Sequence, residues 1–186
     1  MRKNFGKQTW VLPQPVLIIG TYDKNGNADA MNAAWGGVYD ANKIVISLSP
    51  HKTTENIALN KAFTVSFGDV KNMLASDYVG IVSANKEANK LEKAKLHTHR
   101  AEHVCAPVID EFPVTLECEL EKFNEDGNVI GKIVNVSADG EVLDEKGNID
   151  LGKLDLIIFD PIASAYRRIG EKVGNAFSDG KKLIKK

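Results

Sequence analysis

Short apolar runs separated by turn residues dominate this chain, and they predict a fold made mainly of β-strands. Residues 15–22 (PVLIIGTY) and 44–48 (IVISL) are continuous apolar runs of the length typical of buried strands. Residues 114–121 alternate strictly between apolar and polar side chains, as in a strand with one buried face. Asp23-Lys24-Asn25-Gly26 and Asp126-Gly127 are typical hairpin turns. The predicted strands cover residues 15–22, 28–38, 44–48, 62–67, 114–121, 129–137 and 154–159, and residues 140–143 are predicted to extend the series.

Three other stretches, residues 55–60, 70–80 and 87–94, predict helices. Asp69 precedes the second of them and is a suitable N-cap. The third is rich in lysine and glutamate, which predicts a solvent-exposed helix. Short strands with few helices predict an α+β protein that is mainly β, built as a β-barrel with helical excursions. The whole chain, 1–186, is predicted to form one domain, with residues 161–186 as a C-terminal extension.

Composition narrows the class of protein further. Apolar residues make up 43% and charged residues 26% of the chain, as in an ordinary soluble globule. The formal net charge of −1 gives no field that would attract nucleic acid or an anionic membrane, so neither is expected as a partner. Two cysteines, Cys105 and Cys118, are too few for a disulfide framework. With no apolar stretch of membrane-spanning length, we expect a cytoplasmic protein with reduced thiols.

The loop His51-Lys52-Thr53-Thr54 is a candidate anion site. It lies between an apolar strand and a predicted helix, for which Thr53 is a plausible N-cap. The start of a helix leaves N–H donors unpaired and carries a partial positive charge, so it attracts anions. Lys52 adds a full charge, and the two hydroxyl groups add donors. The pattern suits a phosphate monoester, although an ordinary capped helix without a ligand would have the same local sequence.

Other motifs do not support a catalytic or metal site. Residues 174–182 (GNAFSDGKK) have the wrong glycine spacing for a phosphate-binding P-loop and follow no strand. His97, His99 and His103 lack cysteine or carboxylate partners at structural-zinc spacing, so no metal site is predicted. No GxSxG sequence is present to support serine hydrolase chemistry. The sequence therefore predicts no catalytic side chain.

Ordered motifs along almost the whole length carry a resemblance to a known family. The chain resembles the flavin reductase-like proteins of the FMN-binding split-barrel fold, and among them the flavoredoxin type. The matching segments are residues 30–35 (AMNAAW), 51–57 (HKTTENI), 62–66 (AFTVS), 89–91 (NKL), 106–109 (APVI), 116–118 (LEC), 166–170 (YRRIG) and 176–181 (AFSDGK). Each is weak alone, but together and in register they are specific.

The resemblance implies an FMN-binding homodimer with each flavin near the subunit interface, and the C-terminal extension packing on the barrel or on the partner. It assigns the phosphate to Lys52, Thr53 and Thr54, beside His51. The isoalloxazine ring would be lined by Asn32, Ala33, Ala34 and Trp35. Lys90 matches a family lysine near the flavin, and Tyr166 or Phe177 would close the pocket. Two alternatives stay open: Trp35 as a barrel-core aromatic, and Lys90 as a solvated helix charge.

Two departures from the family pattern bear on activity. Many relatives have Gly-Asp-His after the central hairpin, where this chain has Asp126-Gly127-Asn128. Asp29 stands where flavoredoxin-type proteins tend to have asparagine, and a carboxylate near the flavin would oppose its reduction. The resemblance therefore implies an FMN-dependent oxidoreductase or electron-transfer protein, with a possible redox protein partner. The alternatives are an NADH- or NADPH-dependent flavin reductase that supplies reduced flavin to a partner, and an FMN-binding module without turnover.

Overall fold

The computed structural model describes residues 1–184, and in this part of the chain it has twelve β-strands and four α-helices. The strands are β1 (Gln14–Pro15), β2 (Leu17–Tyr22), β3 (Ala28–Ala33), β4 (Gly36–Asp40), β5 (Lys43–Ile46), β6 (Ala62–Phe67), β7 (Thr98–Arg100), β8 (Pro107–Ile109), β9 (Val114–Phe123), β10 (Val129–Ala138), β11 (Ile157–Asp160) and β12 (Ala165–Arg168). The helices are α1 (Lys52–Asn60), α2 (Met73–Ile81), α3 (Lys90–Ala94) and α4 (Leu151–Leu154).

Seven antiparallel strands form the main sheet in the order β3-β2-β6-β9-β10-β5-β4. The two edge strands, β3 and β4, are joined by only Ala34 and Trp35. In a flat sheet these edges would lie about 29 Å apart, whereas the chain from Ala33 to Gly36 reaches at most about 11 Å. The sheet must therefore curl until its edges nearly meet. This curled half-barrel confirms the predicted split barrel, mainly β with helical excursions.

Apolar side chains lie on both faces of β2, which explains why its sequence is a continuous apolar run. Leu17 and Ile19 point into the barrel, where they pack with residues such as Phe63 of β6 and Cys118 of β9. Ile18 points to the opposite face and packs under α2 and α3 in a second core. The α2 and α3 helices are thus held against the outer face of the sheet, next to β3.

Local structure differs from the sequence prediction where the curled sheet imposes its own geometry. The predicted strand 28–38 is two strands, because the chain crosses from one sheet edge to the other at Ala34 and Trp35. Residues 140–143 do not extend the meander, since Gly140–Val142 is a 3-10 helix that packs Val142 against Leu154. The predicted strand 154–159 begins only at Ile157, after the short α4.

The two helices on the outer face also begin later than predicted. Asp69 accepts a hydrogen bond from the Asn72 N–H at 2.6 Å, but α2 begins at Met73, with Asn72 at the N-cap position. The α3 helix covers only Lys90–Ala94, and Lys90 is buried in it. The prediction of a fully solvent-exposed helix was therefore wrong at Lys90.

The C-terminal extension begins as part of the fold. β12 pairs with β11 in a three-stranded sheet with β1. From residue 170 to residue 184 the chain is almost entirely exposed. The last two of the four terminal lysines, 185 and 186, lie outside the described residues. Packing of this extension on a partner stays a prediction. No helix within residues 1–184 is long and apolar enough to cross a membrane.

Candidate functional site

A cleft of about 150 Å³ lies between β3, the start of α1 and the end of α2. The side chains and backbone that line it are Asp29, Met31, His51, Lys52, Thr53, Val79, Gly80, Ile81, Val82, Ser83, Ala84 and Lys90. Five of these residues were predicted for the cofactor site: Asp29, His51, Lys52, Thr53 and Lys90. We call this the anion cleft, because the start of a helix and two lysines meet in it.

The start of α1 forms one side of the anion cleft. The helix begins at Lys52 with His51 at the N-cap position, so the prediction of Thr53 as N-cap was wrong. The Thr54 hydroxyl donates to the His51 carbonyl at 2.7 Å and accepts from the His51 N–H at 3.0 Å. These bonds fix the loop, and the backbone N–H groups of Lys52 and Thr53 at the start of the nine-residue helix have no intrahelical partners.

The groups at this end differ in charge and burial. Thr53 is buried in the cleft wall, whereas His51 and Lys52 are partly exposed. Burial lowers the pKa of His51, although Asp29 acts in the opposite direction. His51 is therefore a neutral imidazole at neutral pH, and Lys52 with the helix N-terminus supplies the positive charge.

A buried ion pair forms the base of the cleft. Lys90 Nζ lies 3.2 Å from Asp29 Oδ1, and each side chain is only 4% exposed. The reading of Lys90 as a solvated helix charge was therefore wrong. Burial lowers the pKa of Lys90, and the neighbouring Asp29 carboxylate opposes this shift. Because the carboxylate is paired with an ammonium group, Asp29 does not act as the unpaired negative charge that was expected to oppose flavin reduction.

Trp35 lies in a second cleft, of about 270 Å³, at the junction of the two sheet edges. Its walls are Ala34, Trp35 and Gly36 on one side and the N-terminal residues Thr9, Val11, Pro13, Gln14 and Pro15 on the other. Trp35 is 57% exposed, so the reading of this residue as a barrel-core aromatic was wrong. Gln14 is 6% exposed, and its Oε1 is buried without a partner among the described residues. We call this the tryptophan cleft.

Asn32 and Tyr166 lie together behind α2, outside the linings of both clefts. The Asn32 Nδ2 donates to the Ser76 carbonyl at 3.0 Å and to the Tyr166 hydroxyl at 3.3 Å. The Tyr166 hydroxyl donates in turn to Asp77 Oδ1 at 2.9 Å. Burial and the Asp77 carboxylate raise the pKa of Tyr166 to about 12. These hydrogen bonds connect β3, α2 and β12, which are distant from one another in the sequence.

The remaining predicted residues lie elsewhere. Ala33 is buried in the barrel core, and Thr54 is bonded to the loop as described. Phe177 is 99% exposed in the C-terminal extension. Met31, Ser83 and Gln14 line the clefts but were not predicted. Met31 could have been predicted from its position two residues after Asp29, because alternate residues of a strand lie on the same face. Nothing in the sequence pointed to Ser83 or Gln14.

The histidines considered as metal ligands each pair with a carboxylate. His97 Nδ1 lies 2.6 Å from Glu111 Oε1, His99 contacts Asp110, and His103 contacts Glu117. Within residues 1–184, no group of three or more His, Cys, Asp or Glu side chains is arranged to hold a metal ion. Burial raises the pKa of Cys118 to about 12, so this thiol behaves as a core side chain.

The curled antiparallel sheet, with the anion cleft beside its edge strand β3, defines a split-barrel protein. A model of the flavin reductase like domain matches residues 10–159. The chain therefore belongs to the flavin reductase-like family, and within it is of the flavoredoxin type.

Solved structures agree with this assignment. The structure of flavoredoxin from Desulfovibrio vulgaris (Miyazaki F) is 35% identical, with a TM-score of 0.94 over 97% of this chain and 100% of that one. Flavoredoxin from Methanosarcina acetivorans is 26% identical, with a TM-score of 0.89 over 99% and 100%. Nitrilotriacetate monooxygenase component B from Bacillus cereus shares the fold at 21% identity and a TM-score of 0.77, over 94% and 98%. No curated protein matches the chain.

Proposed function

We propose that this protein is an FMN-binding oxidoreductase or electron-transfer protein. The observation that carries the proposal is the anion cleft, in which Lys52 and the start of α1 lie beside a buried hydroxyl, that of Thr53. A terminal phosphate has about two negative charges at neutral pH, and such a helix start is a suitable site for it. The two flavoredoxin structures similar to this chain support the same conclusion.

The two clefts lie close enough together for one FMN molecule to reach both. The anion cleft, at about 150 Å³, is smaller than the roughly 300 Å³ of the smallest typical ligand pockets, so it suits only the phosphate end. Met31 lines the anion cleft and Ala34 the tryptophan cleft, three residues further on and therefore within about 11 Å. The exposed face of Trp35 suits a flat ring. We infer that the phosphate end occupies the first cleft and the ring lies toward the second.

In this arrangement the bound flavin supplies the electron-transfer chemistry. Lys52 and the N–H groups of α1 bind the phosphate and set the position of the cofactor. The indole of Trp35 would cover apolar surface of the flavin ring and exclude water from that surface. No side chain is required to move a proton for this role.

We also propose a homodimer. β4 is an edge strand of the main sheet, and Val38 and Tyr39 on it are 88% and 52% exposed. Exposed apolar edge strands need a cover, and neither cleft alone encloses a whole cofactor. Light scattering of the flavin-loaded protein should give twice the chain mass of 20.3 kDa. A single species of the chain mass at micromolar concentration would contradict the dimer.

For electron delivery we propose a redox protein partner in the cytoplasm, and slow direct oxidation of NADH or NADPH. The turn that carries a histidine in many flavin reductases here has Asn128, whose N–H donates to Asn124 Oδ1 at 2.8 Å within the turn. Asn128 lines neither cleft. Anaerobic stopped-flow measurements should show slow bleaching of the flavin by either nucleotide and fast bleaching by dithionite. Rapid bleaching by NADH would favour a direct flavin reductase instead.

The central test is a fluorescence titration of the purified protein with FMN, FAD and riboflavin. We expect FMN to bind most tightly, because the cleft offers partners for a terminal phosphate and none for an adenylate. Equal affinities for FMN and riboflavin would contradict the proposed function of the anion cleft. Absence of binding for all three flavins would contradict the assignment as an FMN protein.

A further inference from the structure

Asp29 and Lys90 form a charge pair with an unusual position. They come from β3 and α3, they are 61 residues apart in the chain, and both are almost completely buried. Both also line the anion cleft, so the pair faces the site of a ligand instead of the apolar core. A buried ion pair is a weak source of stability, because the cost of desolvation offsets most of the attraction. Its place in the cleft wall points to a role in binding.

The pair leaves hydrogen-bonding capacity unused. An ammonium group has three donors, and among the described residues Lys90 Nζ has one side-chain acceptor, Asp29 Oδ1. The geometry points to an electrostatic role, which rests on the proposed function: we infer that Asp29 cancels the charge of Lys90, so that the phosphate of FMN is held by Lys52 and the start of α1 alone. Asp29 is thus a positioning residue that limits the affinity of the cleft for anions.

Removal of one charge at a time gives opposite effects. Asp29→Asn keeps an acceptor for Lys90 but removes the negative charge, so the anion cleft gains net positive charge. Lys90→Met leaves an unpaired carboxylate facing the phosphate, so the cleft loses one positive charge and Asp29 opposes the remaining charge of Lys52. Asp29→Asn/Lys90→Met removes both charges and restores a neutral base. If the pair acted only by holding β3 to α3, the variants would change the stability of the fold, and the two single variants would not have opposite effects on anion affinity.

The effect of Asp29→Asn depends on pH. Without its carboxylate partner, the buried ammonium of Lys90 is easier to deprotonate, and a neutral amine adds no attraction. The gain in anion affinity is therefore largest at low pH and decreases as pH rises. The charged or titratable groups that face this position are Asp29, His51, Lys52 and Glu55. Asp29 raises and Lys90 lowers the pKa of His51, so the response of His51 to each single variant opposes the change in charge and reduces its size without reversing its sign.

The test measures the ratio of FMN affinity to riboflavin affinity, which isolates the phosphate. At about pH 6, we expect Asp29→Asn to raise this ratio about tenfold and Lys90→Met to lower it about tenfold, from one unit charge in a partly buried site. The double variant should keep the ratio of the unmodified protein. At about pH 9 the gain from Asp29→Asn should fall to less than threefold.

The outcomes separate the two proposals. An unmodified protein with no preference for FMN over riboflavin would reject the proposed function. If the unmodified protein prefers FMN and this preference is unchanged in both single variants, the role of Asp29 is rejected. It is also rejected if the increase in the FMN-to-riboflavin affinity ratio persists in the double variant. If a single variant fails to fold, NMR of the Lys90 side chain in the unmodified protein decides. Lys90 must then be protonated at neutral pH and respond to added inorganic phosphate, and failure of either condition rejects the inference.

Discussion

The backbone N–H of His103 donates to Glu117 Oε2 at 2.7 Å, and the imidazole Nδ1 of His103 lies 3.1 Å from Oε1 of the same carboxylate. Asn135 Nδ2 also donates to Oε1, at 2.8 Å. The Glu117 side chain is 3% exposed, so a buried carboxylate on β9 anchors the loop that precedes β8. Burial raises the pKa of Glu117, but the hydrogen bonds from Asn135 and His103 outweigh it and bring the pKa below its ordinary value.

This pairing predicts acid-sensitive stability. Because the pKa of Glu117 is lower in the folded than in the unfolded chain, its contribution is complete above about pH 4.5 and is lost as pH falls through the folded pKa. We expect Glu117→Gln to lower the free energy of unfolding at neutral pH by about 2 kcal/mol and to reduce its dependence on pH in the acid range. Urea unfolding across this range measures both. Glu119→Gln, exposed on the same strand, is the control and should behave like the unmodified protein.

The phosphate end of the cofactor can be tested at the start of α1. Lys52→Ala should weaken FMN binding by about 1–3 kcal/mol, because it removes a charge-assisted contact, and Thr53→Val should weaken it by about 1 kcal/mol. Riboflavin binding should change little in both variants. Lys122→Ala removes an exposed lysine of β9 outside both clefts and should leave both affinities unchanged. Equal losses for FMN and riboflavin would show that this loop does not hold the phosphate.

Thr54 requires a different expectation, since its hydroxyl already bonds to the backbone of His51. Thr54→Ala should destabilise the start of the helix by about 1 kcal/mol, as expected for the loss of a cap interaction. Thermal unfolding without flavin measures this effect. A variant with unchanged stability and reduced FMN affinity would instead indicate that the Thr54 hydroxyl contacts the phosphate directly.

Substitution of Trp35 tests whether this residue contributes to flavin binding or to the stability of the fold. Its indole is 57% exposed, so Trp35→Ala should change the free energy of unfolding of the flavin-free protein by less than about 0.5 kcal/mol. Loss of stacking should weaken flavin binding by about 1 kcal/mol, equally for FMN and riboflavin. Titration of both flavins, together with urea unfolding, makes the comparison. A stability loss typical of a core aromatic, about 3 kcal/mol or more, would contradict the exposed position.

Tyr166, in contrast to Trp35, is expected to contribute to the stability of the fold and not to flavin binding. Tyr166→Phe removes hydrogen bonds that connect Asp77 and Asn32, and we expect a loss of stability of about 1–2 kcal/mol. Flavin affinity should stay within about twofold of the unmodified value, because the hydroxyl lines neither cleft. A large loss of flavin affinity with normal stability would support the earlier expectation that Tyr166 closes the pocket.

Much of the fold follows from local sequence. The apolar run of β2 and the Asn25-Gly26 turn predict a hairpin, because each acts through neighbouring residues only. The same holds for the strand after α1 and for the long hairpin of β9 and β10. The motif at 51–54 located the N-cap of a helix to within two residues, since capping is also a local property.

Tertiary structure decided the features that depend on contacts distant in the chain. Closure of the sheet is determined by the pairing order of seven strands, so the break at Trp35 and its exposure could not be predicted from a window around it. The burial of Lys90 and its pairing with Asp29 likewise required β3 and α3 to pack together. Charged residues in a polar stretch are typical of a solvated helix, and only a partner 61 residues away makes burial of one tolerable. Sequence thus determined the strands of the main sheet and the family, and the packing of distant elements determined the charge balance of the site.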